Sequence, residues 1–276
     1  MDKNKKLFNT TRNDRWWIHP LLVVLGFTAF IIYSTWAALE GEHFWWSGEN
    51  NDGFGGYLSP FYSPPLFLKS GAEGIPPLSH AWFGEWPNWW PTWIPSSPAL
   101  LILIFPLSFR FTCYYYRKAY YRAFTWTPPA CSVGPISQTE YKGEAGWLIF
   151  QNIHRFTLYF AILLCFILSY DAVLAFFNNG KFGMGIGSFV LLVNPILLSS
   201  YVFGCHSFRH LIGGNIDCYS CSARTKVAYK GWSFVSILNR NHQLFAWLSL
   251  FWVGFSDVYV RGVSEGWIND MNTWGI

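Results

Sequence analysis

Hydrophobic positions in this chain fall into long unbroken blocks rather than short periodic stripes. Segments 21–38, 87–109 and 182–208 hold no Asp, Glu, Lys or Arg. Surface helices and strands of a soluble domain interleave polar residues every two to four positions. Crossing a bilayer by helix takes about 20 apolar residues. Five spans are predicted, at about 18–39, 97–116, 149–177, 183–211 and 242–260. The third is interrupted by Arg155 and Asp171, and the fifth carries Asp257 near its end. Helix is the expected state, because lipid offers backbone amides no partner outside the segment except in a closed barrel. The first span is too long, and lacks the small-residue cleavage site, for a secretory leader.

The polar stretches between the blocks set orientation. Lys and Arg number five in residues 1–19, six in 110–155 and five in 209–240, while the opposite loops hold only Lys69, Lys181 and Arg261. Sixteen against three is a strong positive-inside bias, predicting a cytoplasmic amino terminus and an external carboxyl terminus. Composition agrees: the chain is 52% hydrophobic and only 12% charged, half the usual charged share of about 25%. A soluble globule and a disordered chain are excluded. The net charge of +4 is accounted for by topology rather than by nucleic acid. The expectation is an all-α, multi-pass membrane bundle forming one domain. Loop 40–96, with eight Pro and paired Trp residues (Trp45–Trp46, Trp89–Trp90), is expected to lie on the outer surface as a non-helical cap. No repeated string is visible, which argues against transporters built on inverted repeats.

Metal-ligating residues collect on one side of this topology. Five of seven His (His19, His154, His206, His210, His242) fall at cytoplasmic span ends, and His43 and His80 outside. Five of six Cys (Cys113, Cys131, Cys205, Cys218, Cys221) lie on or near the same side, with Cys165 mid-span. A reducing compartment disfavours disulfides there, leaving inert thiols or a metal site. His206 and His210, four apart on the predicted fourth span, would share a helix face. Imidazoles and thiolates suit zinc or a Rieske-type [2Fe–2S] centre, and a His pair could instead hold a b-type haem. Cys218-x-x-Cys221 stands alone, and a single such spacing is a weak signal.

Several strings resemble one known family. FTCYYYRKAYYR (111–122), TPPACSV (127–133), NIHR (152–155), SYDAVLAF (169–176), GCHSFRHLIGG (204–214) and LNRNHQLFAWLSLFWVGFSDVYVR (238–261) are similar to the membrane anchor of type F succinate dehydrogenase, with YLSPFYSPP (57–65) weaker. The resemblance implies a haem-free anchor in a bacterial cell membrane with a Rieske-type cluster inside the bilayer. It further implies flavoprotein and iron–sulfur subunits docked on the cytoplasmic face, quinone as electron acceptor, and a homotrimer of heterotrimers as a candidate assembly. Among the matching strings, Cys113 and Cys131 are the favoured thiolates with Cys205 in reserve, and His154 plus His210 or His206 would complete the set.

Asp171 and Asp257, beside Tyr170 and Tyr259, are candidates for delivering protons to a reduced quinone. Asp257 has Arg261 four residues on, an ion-pair spacing, whereas Asp171 has no basic residue there. Gly183, Gly185 and Gly187 open the fourth span and are expected to allow close helix packing. No dinucleotide fingerprint is present, so the chain is not expected to oxidise a substrate alone. The competing readings are a b-haem anchor and a non-redox scaffold.

Overall fold

A computed structural model describes residues 8–48, 55–69, 71, 73–136 and 146–275. Lys3, Lys5, Lys6 and Lys142, part of the basic bias, lie outside the described residues. The architecture is all-helical. Four helices are long and apolar enough to cross a bilayer, namely Ile18–Glu40, Ile149–Leu174, Ile186–Phe203 and His242–Ser264. A helix pair, Pro98–Phe111 and Tyr114–Phe124, bent by 72°, is apolar enough to make a fifth crossing if the pair counts as one span.

The elements in chain order are α1 (Ile18–Glu40), β1 (Trp45–Trp46), β2 (Tyr57–Leu58), α2 (Pro98–Ile102), α3 (Ile104–Phe111), α4 (Tyr114–Ala119), α5 (His154–Leu174), β3 (Phe177–Asn178), β4 (Lys181–Phe182), α6 (Ile186–Phe203), α7 (His206–Arg209), α8 (Ala223–Arg240) and α9 (His242–Ser264). They form two compact units, residues 1–33 with 107–154, and residues 34–106 with 155–276.

In the first unit an aromatic knot replaces an aliphatic core. Phe27 of α1 meets Tyr116 and Tyr120 edge-on, at 5.5 and 6.0 Å between ring centroids, the offset that ring quadrupoles favour. The Tyr116 hydroxyl is held by Arg110 at 2.6 Å. The segment before α1 runs along the loop after α4: Phe8 N–H bonds Gly134 O, Gly134 N–H bonds Asn9 O, and Arg12 bonds Cys131 O.

In the second unit α6 packs along α9, with Trp252 donating to the Val190 carbonyl at 3.0 Å. Two small antiparallel ribbons, β1–β2 and β3–β4, close the helix ends, pairing Trp46 with Tyr57 and Phe177 with Phe182. Asn178 ties one ribbon to the other through Ser47 O at 3.0 Å. The tail after α9 returns to the start of α6. There Asp270, only 4% exposed, accepts from Gly187 N–H and from the hydroxyls of Tyr57 and Tyr259. A carboxylate at a helix N-terminus satisfies an orphan amide and opposes the helix dipole. Burial raises the Tyr57 hydroxyl pKa well above its ordinary value, so it remains a donor.

Four expectations need correction. The second span is not one helix: Cys113 is extended (φ −70°, ψ 134°), and Thr112 turns its hydroxyl back onto Ser108 O, so the chain bends there. The fourth span stops at Phe203 rather than 211, because Gly204 and the extended Cys205 (φ −64°, ψ 143°) end it. His206 and His210 therefore sit on α7 and the π turn His210–Gly214, not on the spanning helix. Gly183, Gly185 and Gly187 admit Trp274, Asp270 and the Tyr57 ring, not a neighbouring helix. Finally, 209–240 is no simple loop: α8 occupies most of it, started by a capping box between Ser222 and Thr225. Between α1 and α2, the helical turn among the described residues is the 3-10 turn Leu78–His80.

Candidate functional site

Two local structures of the same design carry the buried Cys and His residues. In the first unit, α3 breaks at Cys113, α4 follows, and a π turn (Tyr120–Phe124) ends it. Cys113 is 2% exposed. Phe109, four residues before it, lies flat against His154, the first residue of α5, with ring centroids 4.4 Å apart and planes at 13°. Thr112, next to Cys113, meets His154 Nδ1 at 2.9 Å through its hydroxyl. That contact fixes the imidazole's orientation and leaves Nε2 directed away from Thr112.

In the second unit α6 breaks at Cys205, α7 follows, and the π turn His210–Gly214 ends it. Cys205 is 3% exposed and Tyr201, four residues before it, is fully buried. Tyr201 stacks on His242, the first residue of α9, at 5.0 Å and 15°. Asn239 fastens the break by donating to Gly204 O at 2.8 Å. Each unit thus holds a thiol at an extended helix break and an imidazole pressed flat against an aromatic ring four residues upstream of that thiol.

The residues favoured from sequence divide on burial. Cys113 is buried and His154 half-buried, whereas Cys131, His206 and His210 are exposed. The Cys131 thiol lies 3.8 Å from the Arg122 guanidinium. Cys218 and Cys221, read as a chance spacing of thiols, are joined as a disulfide. Among the described residues no three His, Cys, Asp or Glu side chains gather into one group. His242, grouped in the sequence with the other span-end histidines but not favoured, and Cys205, held there in reserve, occupy the positions in their unit that His154 and Cys113 occupy in the other. The signal for both was an aromatic four residues before each Cys, together with a His opening the next long apolar block.

The two acidic candidates also separate. Asp171, near the end of α5, receives a hydrogen bond from Ser63 and lines a cavity of about 210 Å³ with Tyr170, Trp45, His80 and Trp82. His80 meets the edge of Trp45 at 5.9 Å, and burial pushes its imidazole pKa below the ordinary range. Asp257 is instead fully buried, bonded by Ser59 on one oxygen and by Arg261 Nε at 2.8 Å on the other. It does not reach that cavity.

These features define a multi-pass helical membrane subunit with buried thiol–imidazole positions and a cap-side cavity. The sequence model of the family described as actinobacterial succinate dehydrogenase subunit SdhC matches residues 18–266, and the chain belongs to that family. It is similar to a chain of the Mycobacterium smegmatis Sdh1 complex in the apo form, with 42% identity and a TM-score of 0.81 over 95% of this chain and 92% of that one. No curated protein matches it. The chain is therefore a membrane subunit of a bacterial succinate dehydrogenase.

Proposed function

We propose that this subunit anchors a flavoprotein and an iron–sulfur subunit at the cytoplasmic face and passes their electrons to membrane quinone. We infer that the subunit carries a Rieske-type [2Fe–2S] cluster, and that Cys113 and His154 in one unit, and Cys205 and His242 in the other, are candidates for its thiolate and imidazole ligands. The supporting observation is the repeated break motif with its buried thiol. Two thiols and two imidazoles are the donor set that such a centre requires. Burial disfavours Cys131, His206 and His210 as ligands. When bound, the cluster would supply one-electron transfer at a potential raised by imidazole ligation.

The chain's own residues do the positioning. The Thr112 hydroxyl meets His154 Nδ1 and orients the ring, and Phe109 and Tyr201 stack on the imidazoles of His154 and His242. The cavity beside Asp171 suits a quinone ring: Trp45, Trp82 and Tyr170 offer aromatic faces, while Asp171 and His80 offer groups that exchange protons.

The test is the assembled complex carrying His154→Ala or His242→Ala. Quinone reduction should fall at least a hundredfold, while succinate oxidation with a soluble acceptor dye continues. Loss of quinone reduction in His206→Ala and His210→Ala, with His242→Ala near wild type, would move the ligand set to α7. Sharp b-haem bands in the reduced spectrum would replace the cluster reading altogether.

A further inference from the structure

The disulfide between Cys218 and Cys221 lies on a stretch that the anchor function leaves unused. It closes a ring over Tyr219 and Ser220 in the loop joining the π turn His210–Gly214 to α8, with the two Cα atoms 5.7 Å apart. Cys221 is exposed and Cys218 half-exposed. Tyr219, inside the ring, clasps both sides of the joint: its hydroxyl bonds Gly213 O at 2.9 Å, and its ring meets Tyr229 and Trp232 of α8 at 5.1 and 5.9 Å. Directly after Cys221, Ser222 caps α8 by accepting from Thr225 N–H at 3.2 Å.

A permanent staple explains this bond poorly. A ring three residues long withdraws little chain entropy from the unfolded state. The joint already has its own fastenings, with Arg209 over the Trp232 ring at 4.4 Å and bonded to Ser236 at 2.8 Å. The five Lys and Arg of 209–240 assign the loop to the reducing side, where disulfides are transient and used for exchange or sensing.

We propose that Cys218–Cys221 is a thiol–disulfide exchange site for a dithiol reductant, and that opening it releases the Tyr219 clasp between the π turn and α8. A thiolate of the dithiol attacks the exposed Cys221 sulfur, forming a mixed disulfide while Cys218 leaves as a thiolate and takes up a proton. The second thiol of the reductant then displaces Cys221 and forms the reductant's own disulfide. Two electrons pass to the protein, and both cysteines end as thiols. The assignment rests on the proposed orientation but not on the cluster or on quinone.

The experiment uses the purified complex in detergent, alkylated with N-ethylmaleimide before and after dithiothreitol, with amide hydrogen exchange followed across 213–230. Oxidised protein should give two additional labelled thiols in the peptide holding Cys218 and Cys221 only after dithiothreitol. Exchange across 215–230 should rise several-fold on reduction and return with oxidised glutathione. The Cys218→Ser/Cys221→Ser variant should show the faster pattern with or without dithiothreitol. Failure of oxidised glutathione to join the two thiols, or identical exchange in both redox states, would overturn the assignment.

Discussion

Arg261 shows how a single charged residue is tolerated inside an apolar helix. It is 2% exposed, and its guanidinium is fully engaged, by Asp257, Glu40, the carbonyls of Ala37 and Glu42, and the Trp36 face at 5.3 Å. Every donor it carries toward the protein finds an acceptor, which is the condition for burying an ion. Removing one partner leaves the other uncompensated, so Asp257→Ala should cost roughly 3–5 kcal/mol, read as a lower thermal midpoint of the detergent-solubilised complex. Asp171 should behave in the opposite way. It accepts from Ser63 and borders a cavity. Asp171→Asn should leave the midpoint within about 1 kcal/mol of wild type while lowering quinone reduction at least tenfold; equal stability losses for the two variants would erase the distinction. His80 adds a pH test. Its folded pKa lies below the unfolded value of about 6.5, so the unfolded chain binds the proton more readily. Stability is therefore present above about pH 6.5 and is lost as pH falls toward the folded pKa. The thermal midpoint should drop on acidification, and by less in His80→Gln.

Among the elements, long apolar helices were legible because their signal is additive over some 20 residues. Starts such as Ile18 and His242 agree with the sequence reading to within a residue. Breaks were not legible, because each depends on one or two residues whose effect is conformational. Cys113 and Cys205 have no composition that ends a helix, yet both are extended. α8 was missed for a related reason. It is basic and only weakly apolar, so its stability comes from the Ser222 cap and from Trp232 packed under Arg209. Within the site, the residue types were readable. Their burial was not: Cys205 and His242 are buried and Cys131, His206 and His210 exposed, and no spacing rule encodes that. The element-level prediction follows: Thr112→Val keeps the volume but removes the hydroxyl facing His154 Nδ1, an orienting contact to a proposed ligand. It should shift the potential of the His-ligated centre and slow quinone reduction roughly ten- to a hundredfold, with the cluster still present by iron analysis. An unchanged potential would make Thr112 a packing residue.

At the scale of the molecule, the described residues carry two kinds of chemistry. Buried thiols and imidazoles occupy helix breaks and helix starts. The cavity with Asp171 and His80 lies where α5 ends against the cap. The proposed relay would draw on both: thiol and imidazole side chains as cluster ligands, and the cavity beside Asp171 as the place where quinone exchanges protons. Electron paramagnetic resonance of the dithionite-reduced complex, with iron and acid-labile sulfide counted on the same sample, tests the central claim most directly. The account predicts a His-ligated [2Fe–2S] signal beyond those of the iron–sulfur subunit, lost together with two irons and two sulfides in the His154→Ala/His242→Ala complex. An identical signal and iron content in wild type and variant would contradict it.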